Sequence, residues 1–249
     1  MGTSLENRPC HLQCATVANA EVSSGIVGYQ TIKIAKGAYQ LFTVTFEDVS
    51  LPQYDIQDIK VVTAEGADYT TNNKIKLQKI SSNGDYATQY NYRQSKGGWC
   101  QSATFVGKGV VFLASGEGVC VNNSDTANDV YLRVSGAVSI NPVSMAVAPS
   151  SFTIIGNMTP VEIDLQDVVP YAGDAIYATN NRIKVQKIKA NGDYDTQYNY
   201  RKSKGGWCQS GDYIGRDAVK LAPGESLCVN NSDTATSIVL KFPSPIVTE

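Results

Sequence analysis

The chain has 249 residues, 42% of them hydrophobic and 18% charged, with a formal net charge of −2 and a pI near 5.5. That balance excludes a disordered acidic tail and an overall polyanion binder, and no run approaches the roughly 20 apolar residues of a membrane-spanning helix. The length allows one large domain or two ordinary ones, each able to bury its own core.

Residues 1–25 read as an N-terminal arm. It holds the only histidine, His11, together with Cys10 and Cys14. Its opening, MGTSLENRPCHLQC, has neither the basic nor the apolar region of a signal peptide, so no leader is visible in this numbering. Beyond it, short runs rich in Val, Ile, Thr, Tyr and Phe alternate with Gly, Asn, Asp and Ser clusters, the pattern of antiparallel strands. These runs are GYQTIKI (28–34), YQLFTVTF (39–46), KIKLQKI (74–80), YATQYNYR (86–93), VVFLA (110–114), GVCVN (118–122) and DVYLRV (129–134). Between the third and fourth, Asn83-Gly84-Asp85 predicts a type I′ hairpin turn with two residues at positive φ.

The pattern then repeats. Residues 72–127 return without insertion or deletion as 180–235, a shift of 108, and the block NGDYATQYNYRQSKGGWCQS differs from NGDYDTQYNYRKSKGGWCQS at two of twenty positions. A period that long is a whole domain rather than a solenoid unit. Upstream, 37–49 aligns with 156–168 at a shift of 119, which leaves 11 extra residues in the first copy between about Leu51 and Asp68. That insertion reads as an extra strand or as a loop for a partner. The expected fold is all-β: two tandem homologous β-sandwich domains of jelly-roll or Greek-key type, over 26–138 and 139–249, behind the arm. The connection, GAVSINPVSMAVA (136–148), has no long flexible tract, so the domains are expected to pack together.

Cys100 and Cys120 map onto Cys208 and Cys228, and like treatment of the copies pairs Cys100 with Cys120 and Cys208 with Cys228. Such a bridge closes a loop of about 20 residues and stabilises by roughly 3 kcal/mol. Buried free thiols are the alternative. Cys10 and Cys14 pair together or link to a neighbouring chain. CxxxC beside one histidine does not make a zinc site.

Catalysis needs convergent titratable groups, and with His11 outside both repeats neither domain can hold a histidine-based triad. G-x-S-x-G and phosphate-loop motifs are also missing from the sequence. Asp85, Glu117 and Asp125, with twins Asp193, Glu225 and Asp233, read as turn and loop residues before they read as a glycosidase pair. No enzyme, cofactor or metal is expected. The candidate ligand surface is aromatic: Tyr90, Tyr92, Arg93 and Trp99, repeated as Tyr198, Tyr200, Arg201 and Trp207. Rings flanked by amides and Arg suit a sugar platform, although the same rings fill a sandwich core equally well. The basic stretch from Arg182 to Lys204 reads as the solvated face of a strand rather than a nucleic-acid groove.

The succession of GYQTIKIAKGAYQLFTVTF, a GGW block, SGEGVCV and YLRVSGAV over residues 26–138 resembles a diffuse group of uncharacterised secreted bacterial β-proteins, in which a VGY strand precedes GW and GEG segments. The resemblance implies an extracellular or particle-surface β module and carries no activity. The expected role is a non-enzymatic structural or decoration subunit of an extracellular or virion surface assembly, with itself or other subunits as partners. A carbohydrate-binding adhesin is the second expectation, with glycans as partners.

Overall fold

The computed structural model describes residues 27–47, 53–102, 111–138, 143–211 and 219–243. The arm, with Cys10, His11 and Cys14, lies outside the described residues. The first half contributes β1 (Val27–Ile34), β2 (Tyr39–Thr43), β3 (Phe46–Glu47), β4 (Gln53–Asp55), β5 (Lys60–Val62), β6 (Ile75–Ile80), β7 (Tyr86–Arg93), β8 (Gly98–Gln101), β9 (Phe112–Ala114), β10 (Gly118–Asn123) and β11 (Val130–Val138). The second contributes β12 (Ser144–Val147), β13 (Ser151–Gly156), β14 (Ile163–Asp164), β15 (Val169–Ala172), β16 (Ala175–Ile176), β17 (Ile183–Ile188), β18 (Tyr194–Arg201), β19 (Gly206–Gln209), β20 (Lys220–Leu221), β21 (Ser226–Asn231) and β22 (Ile238–Lys241).

The protein is all-β and of the β-sandwich class. In the first half, a five-stranded antiparallel sheet in the order β2-β10-β6-β7-β8 faces a sheet in which β11 pairs with β1, β3 and β5. The second half repeats this with β13-β21-β17-β18-β19 against β12-β22-β15-β16. Alternation drives the layering, because every second side chain of a strand points the same way. Ile75 and Leu77, with Val119 and Val121, enter one core with Ile34, Phe42, Trp99 and Leu132. Ile183 and Val185, with Leu227 and Val229, enter the other with Ile155, Trp207 and Leu240.

Pairing corrects the upstream alignment. Leu41 lies opposite Cys120 and Ile154 opposite Cys228, so the copies correspond there at a shift of 113. Gln57 binds Trp99 and Gln166 binds Trp207, a shift of 109, and Tyr69 and Tyr177 bind Asp125 and Asp233 at 108. The first half therefore gains four residues before Gln57 and one more before Tyr69, not an insertion of eleven. The segment YDIQDI answers IDLQDV.

The hairpin turn also departs from expectation. Gly84 N donates to Ser81 O (2.9 Å) and Ser81 N to Asp85 O (2.8 Å), while Gly84, at φ 93°, is the turn's one residue with positive φ. This is a type I turn closed by a left-handed glycine. The Asn83 side chain holds it by accepting from Asp85 N (3.1 Å) and from Ser81 Oγ (2.6 Å).

The outer faces of the two five-stranded sheets meet about a pseudo-two-fold axis, and each contact occurs twice with the roles exchanged. Tyr39 N donates to Ala190 O (2.8 Å) and its counterpart Phe152 N to Ser82 O (2.9 Å). Thr43 N donates to Gly224 O (2.9 Å), as Gly156 N does to Gly116 O (3.3 Å). Single β-bridges join Phe42 to Glu225 and Glu117 to Ile155. Leu41, Cys120, Ile154 and Cys228 form the apolar centre, with Tyr39, Ile80, Phe152 and Ile188 packed round it. This reciprocity is that of an isologous interface. It also explains why β10 is buried along all six residues: its valines face the core and Cys120 faces the other half.

Candidate functional site

The candidate aromatic residues turn inward. Trp99 and Trp207 are fully buried, and Tyr92 and Tyr200 are buried beside them in edge-to-face pairs with centroids 5.5 and 5.4 Å apart. Tyr90 and Tyr198 are half-buried and pack on the same cores. None of the four buried rings can stack on a sugar, so the platform drawn from them is withdrawn. Arg93 and Arg201 follow on the opposite side of their strands, half-buried.

What holds each tryptophan is a second motif upstream. Asp55 accepts from Gln57 N (3.0 Å) and so caps the single 3-10 turn Ile56–Asp58. Gln57 then offers its amide as a strand would: Oε1 accepts from Trp99 N (3.0 Å) and Nε2 donates to Trp99 O (2.8 Å). The indole Nε1 donates to Ile59 O (3.0 Å). Asp164, Gln166 and Val168 repeat all of this around Trp207. Edge strands β8 and β19 are thereby capped by one side chain each, which removes two groups that could template another strand.

The NNSD loops form the second constellation. Asn123 Nδ2 donates to Ile34 O, Ala35 O and Asn128 O at 3.2, 3.2 and 2.9 Å. Asp125 accepts from the Tyr69 hydroxyl (2.6 Å), Ala127 N (2.8 Å) and Asn128 Nδ2 (3.1 Å). The Tyr69 bond, reinforced by those amides, holds the Asp125 carboxyl down to about 2. Tyr177 does the same for Asp233 at 2.5 Å, and burial with that bond pushes the Tyr177 phenol up to about 12. The loop carboxylates are engaged by protein donors, and among the described residues no three His, Cys, Asp or Glu side chains gather as metal ligands. Glu117 and Glu225 are paired with Lys79 (2.9 Å) and Lys187 (2.6 Å).

Cys100, Cys120, Cys208 and Cys228 are buried and form no disulfide, which overturns the pairing drawn from the repeat. Cys100 sits on β8 and Cys120 on β10, with β7 and β6 between them. Three strand spacings amount to about 14 Å. A disulfide tolerates Cα atoms no more than about 7 Å apart. Burial pushes the Cys120 thiol up to about 11 and the Cys228 thiol in the same direction, so both act as small apolar groups.

A cleft of about 460 Å³ runs along the seam, lined by Ala38, Tyr39 and Leu41 on one side and Ile188, Ala190 and Glu225 on the other. Its two lysines, Lys33 and Lys187, are paired with Asp129 and Glu225. Sequence reading missed Gln57, Gln166, Tyr69 and Tyr177; aligning DIQDI with DLQDV would have found the first pair, and the tyrosine three residues before each Asn-Asn the second. It also missed Tyr86 and Tyr194, large apolar rings that stand 46% and 45% exposed.

Fold and side chains together describe a β-sandwich protein whose repeated polar motifs are spent on building the structure. Compared with protein-family models, curated proteins and solved structures, the chain matches none.

Proposed function

We propose that the protein is a non-enzymatic structural or decoration subunit of an extracellular or virion surface assembly, acting through protein–protein contacts. The observation that carries this is strand β1. Among the described residues it pairs along all eight positions with β11 and with no other strand, and Tyr29 on it is 84% exposed. An unpaired strand edge is a ready surface for another chain, and here it is the long one: the corresponding β12 has four residues. Among the described residues, β2 and β13 are met by the opposite half and β8 and β19 by glutamine amides, while the edge strands β12 and β16 are only four and two residues long.

The repeated titratable groups support a structural role, since Asp125 and Asp233 of the NNSD loops and Glu117 and Glu225 of the later turns each serve a bond that shapes the fold. The location rests on the resemblance of the first half to secreted β-proteins; the free thiols lend it nothing. Size-exclusion chromatography with light scattering tests the role. A defined oligomer is expected at micromolar concentration, converted towards monomer by Tyr29→Glu or Thr31→Lys. A wild-type monomer at every concentration would sink the proposal.

A further inference from the structure

The pseudo-two-fold axis carries a feature that packing does not require. Tyr86 and Tyr194 are twins on the first residues of β7 and β18, each about half exposed. Tyrosine at a surface ordinarily keeps its ring inside and its hydroxyl in water. Here the arrangement is reversed. The Tyr86 hydroxyl lies 3.7 Å from the Cys120 sulfur and the Tyr194 hydroxyl 3.6 Å from that of Cys228, both thiols belonging to the apolar centre of the seam. The polar tips point inward and the rings remain open to solvent.

Both hydroxyls reach the same apolar cluster, and each ring directly follows an acidic turn residue, Asp85 or Asp193. Burial, and after it the neighbouring thiol, raises both phenols. Asp85 and Asp193 are held by their turns, accepting from Asn83 Nδ2 (2.8 Å) and Asn191 Nδ2 (2.7 Å), and a carboxylate has capacity for further donors. Gly84 and Gly192, at φ 93° and 91°, let these turns lie against the Phe152 and Tyr39 rings. Two half-exposed rings offer far less than the roughly 800 Å² that a protein partner covers on each side. They match a small ligand with an apolar face and a rim of hydroxyl donors.

We infer that Tyr86 and Tyr194, with Asp85 and Asp193, form a saccharide-binding site on the pseudo-two-fold axis, in which pyranose faces stack on the rings and sugar hydroxyls donate to the carboxylates. This site is independent of the β1 edge and of the assembly role. The full chain is to be screened on an array of neutral oligosaccharides, and the best binder titrated by saturation-transfer NMR and calorimetry. Tyr86→Ala and Tyr194→Ala are expected to weaken binding at least tenfold, whereas Tyr86→Phe and Tyr194→Phe, which keep the ring, stay within threefold. If an alanine variant fails to fold, shifts of the Tyr86 and Tyr194 ring resonances on adding that saccharide to the wild type decide the matter. The inference is overturned by an array without binders, by alanine variants that bind as wild type does, or by unmoved ring resonances.

Discussion

Some contacts of the seam are made by identical residues of the two halves, and others by a larger residue answered by a smaller one. Gly84 and Gly192, Tyr86 and Tyr194, Cys120 and Cys228 are identical twins, each meeting the other half in the same way. Elsewhere on the seam, Thr43 answers Gly156 and Gly118 answers Ser226. A Cβ on Gly156 would lie 2.3 Å from Ser226 Oγ and 2.5 Å from Thr43 Cγ2, and one on Gly118 would lie 2.4 Å from Ile154 Cγ2 and 3.2 Å from Ser226 Oγ. The larger residue of one half thus occupies the space that its twin vacates. Where Thr43 faces Gly156, a like pair would set large against large. This exchange therefore favours pairing of unlike halves over pairing of like ones.

The largest expected effect comes from breaking that exchange. Gly156→Thr should cost about 3 kcal/mol by overpacking the seam, and adding Thr43→Gly should restore most of it. Denaturant titration of the single and double variants measures both; additive losses would mean that the two sites do not share the space. Gln57→Ala and Gln166→Ala should each cost about 1–2 kcal/mol, since each strands a tryptophan N–H and C=O. The two halves should respond alike and show new self-association in light scattering, now that β8 or β19 is uncapped.

Acid should act on both halves through one mechanism. Asp125 and Asp233 have folded carboxyls held below the ordinary value, so their stabilisation is present above about pH 4. It is lost as pH falls from there towards about 2, the folded value for Asp125. Asp125→Asn or Asp233→Asn should flatten that fall in stability, measured as melting temperature against pH; an unchanged slope would contradict the tyrosine bond. The smallest effect separates twins once more. Ser150 sits at φ 50° where its counterpart Gly37 has φ 69°. Ser150→Gly should stabilise by about 0.5–1 kcal/mol and Gly37→Ser destabilise by a similar amount, read from the same titrations.

The strands of the repeated block were legible because alternation and turn residues are local signals. So was the inward placement of Trp99 and Tyr92, as one of two alternatives. Three things were not legible, for physical reasons. Equal spacing of Cys100 and Cys120 in both copies says nothing of the two strands that separate them in the sheet. The DIQDI motif is short, and its partner strand lies about 40 residues away, as the Gln57 to Trp99 separation of 42 shows. Much of the near identity of the NGDY hairpins belongs to a seam in which each turn must fit the opposite half. Tyr86 and Tyr194 stay exposed in spite of that seam, and only the direction of their hydroxyls sets them apart from the other tyrosines.

The reciprocal seam itself is tested most directly by cutting the chain between its halves. A protease site inserted between Val138 and Val143, cleaved under native conditions, should leave both pieces eluting together at the volume of the uncut protein and parting only in denaturant. Elution as two separate halves would contradict the account.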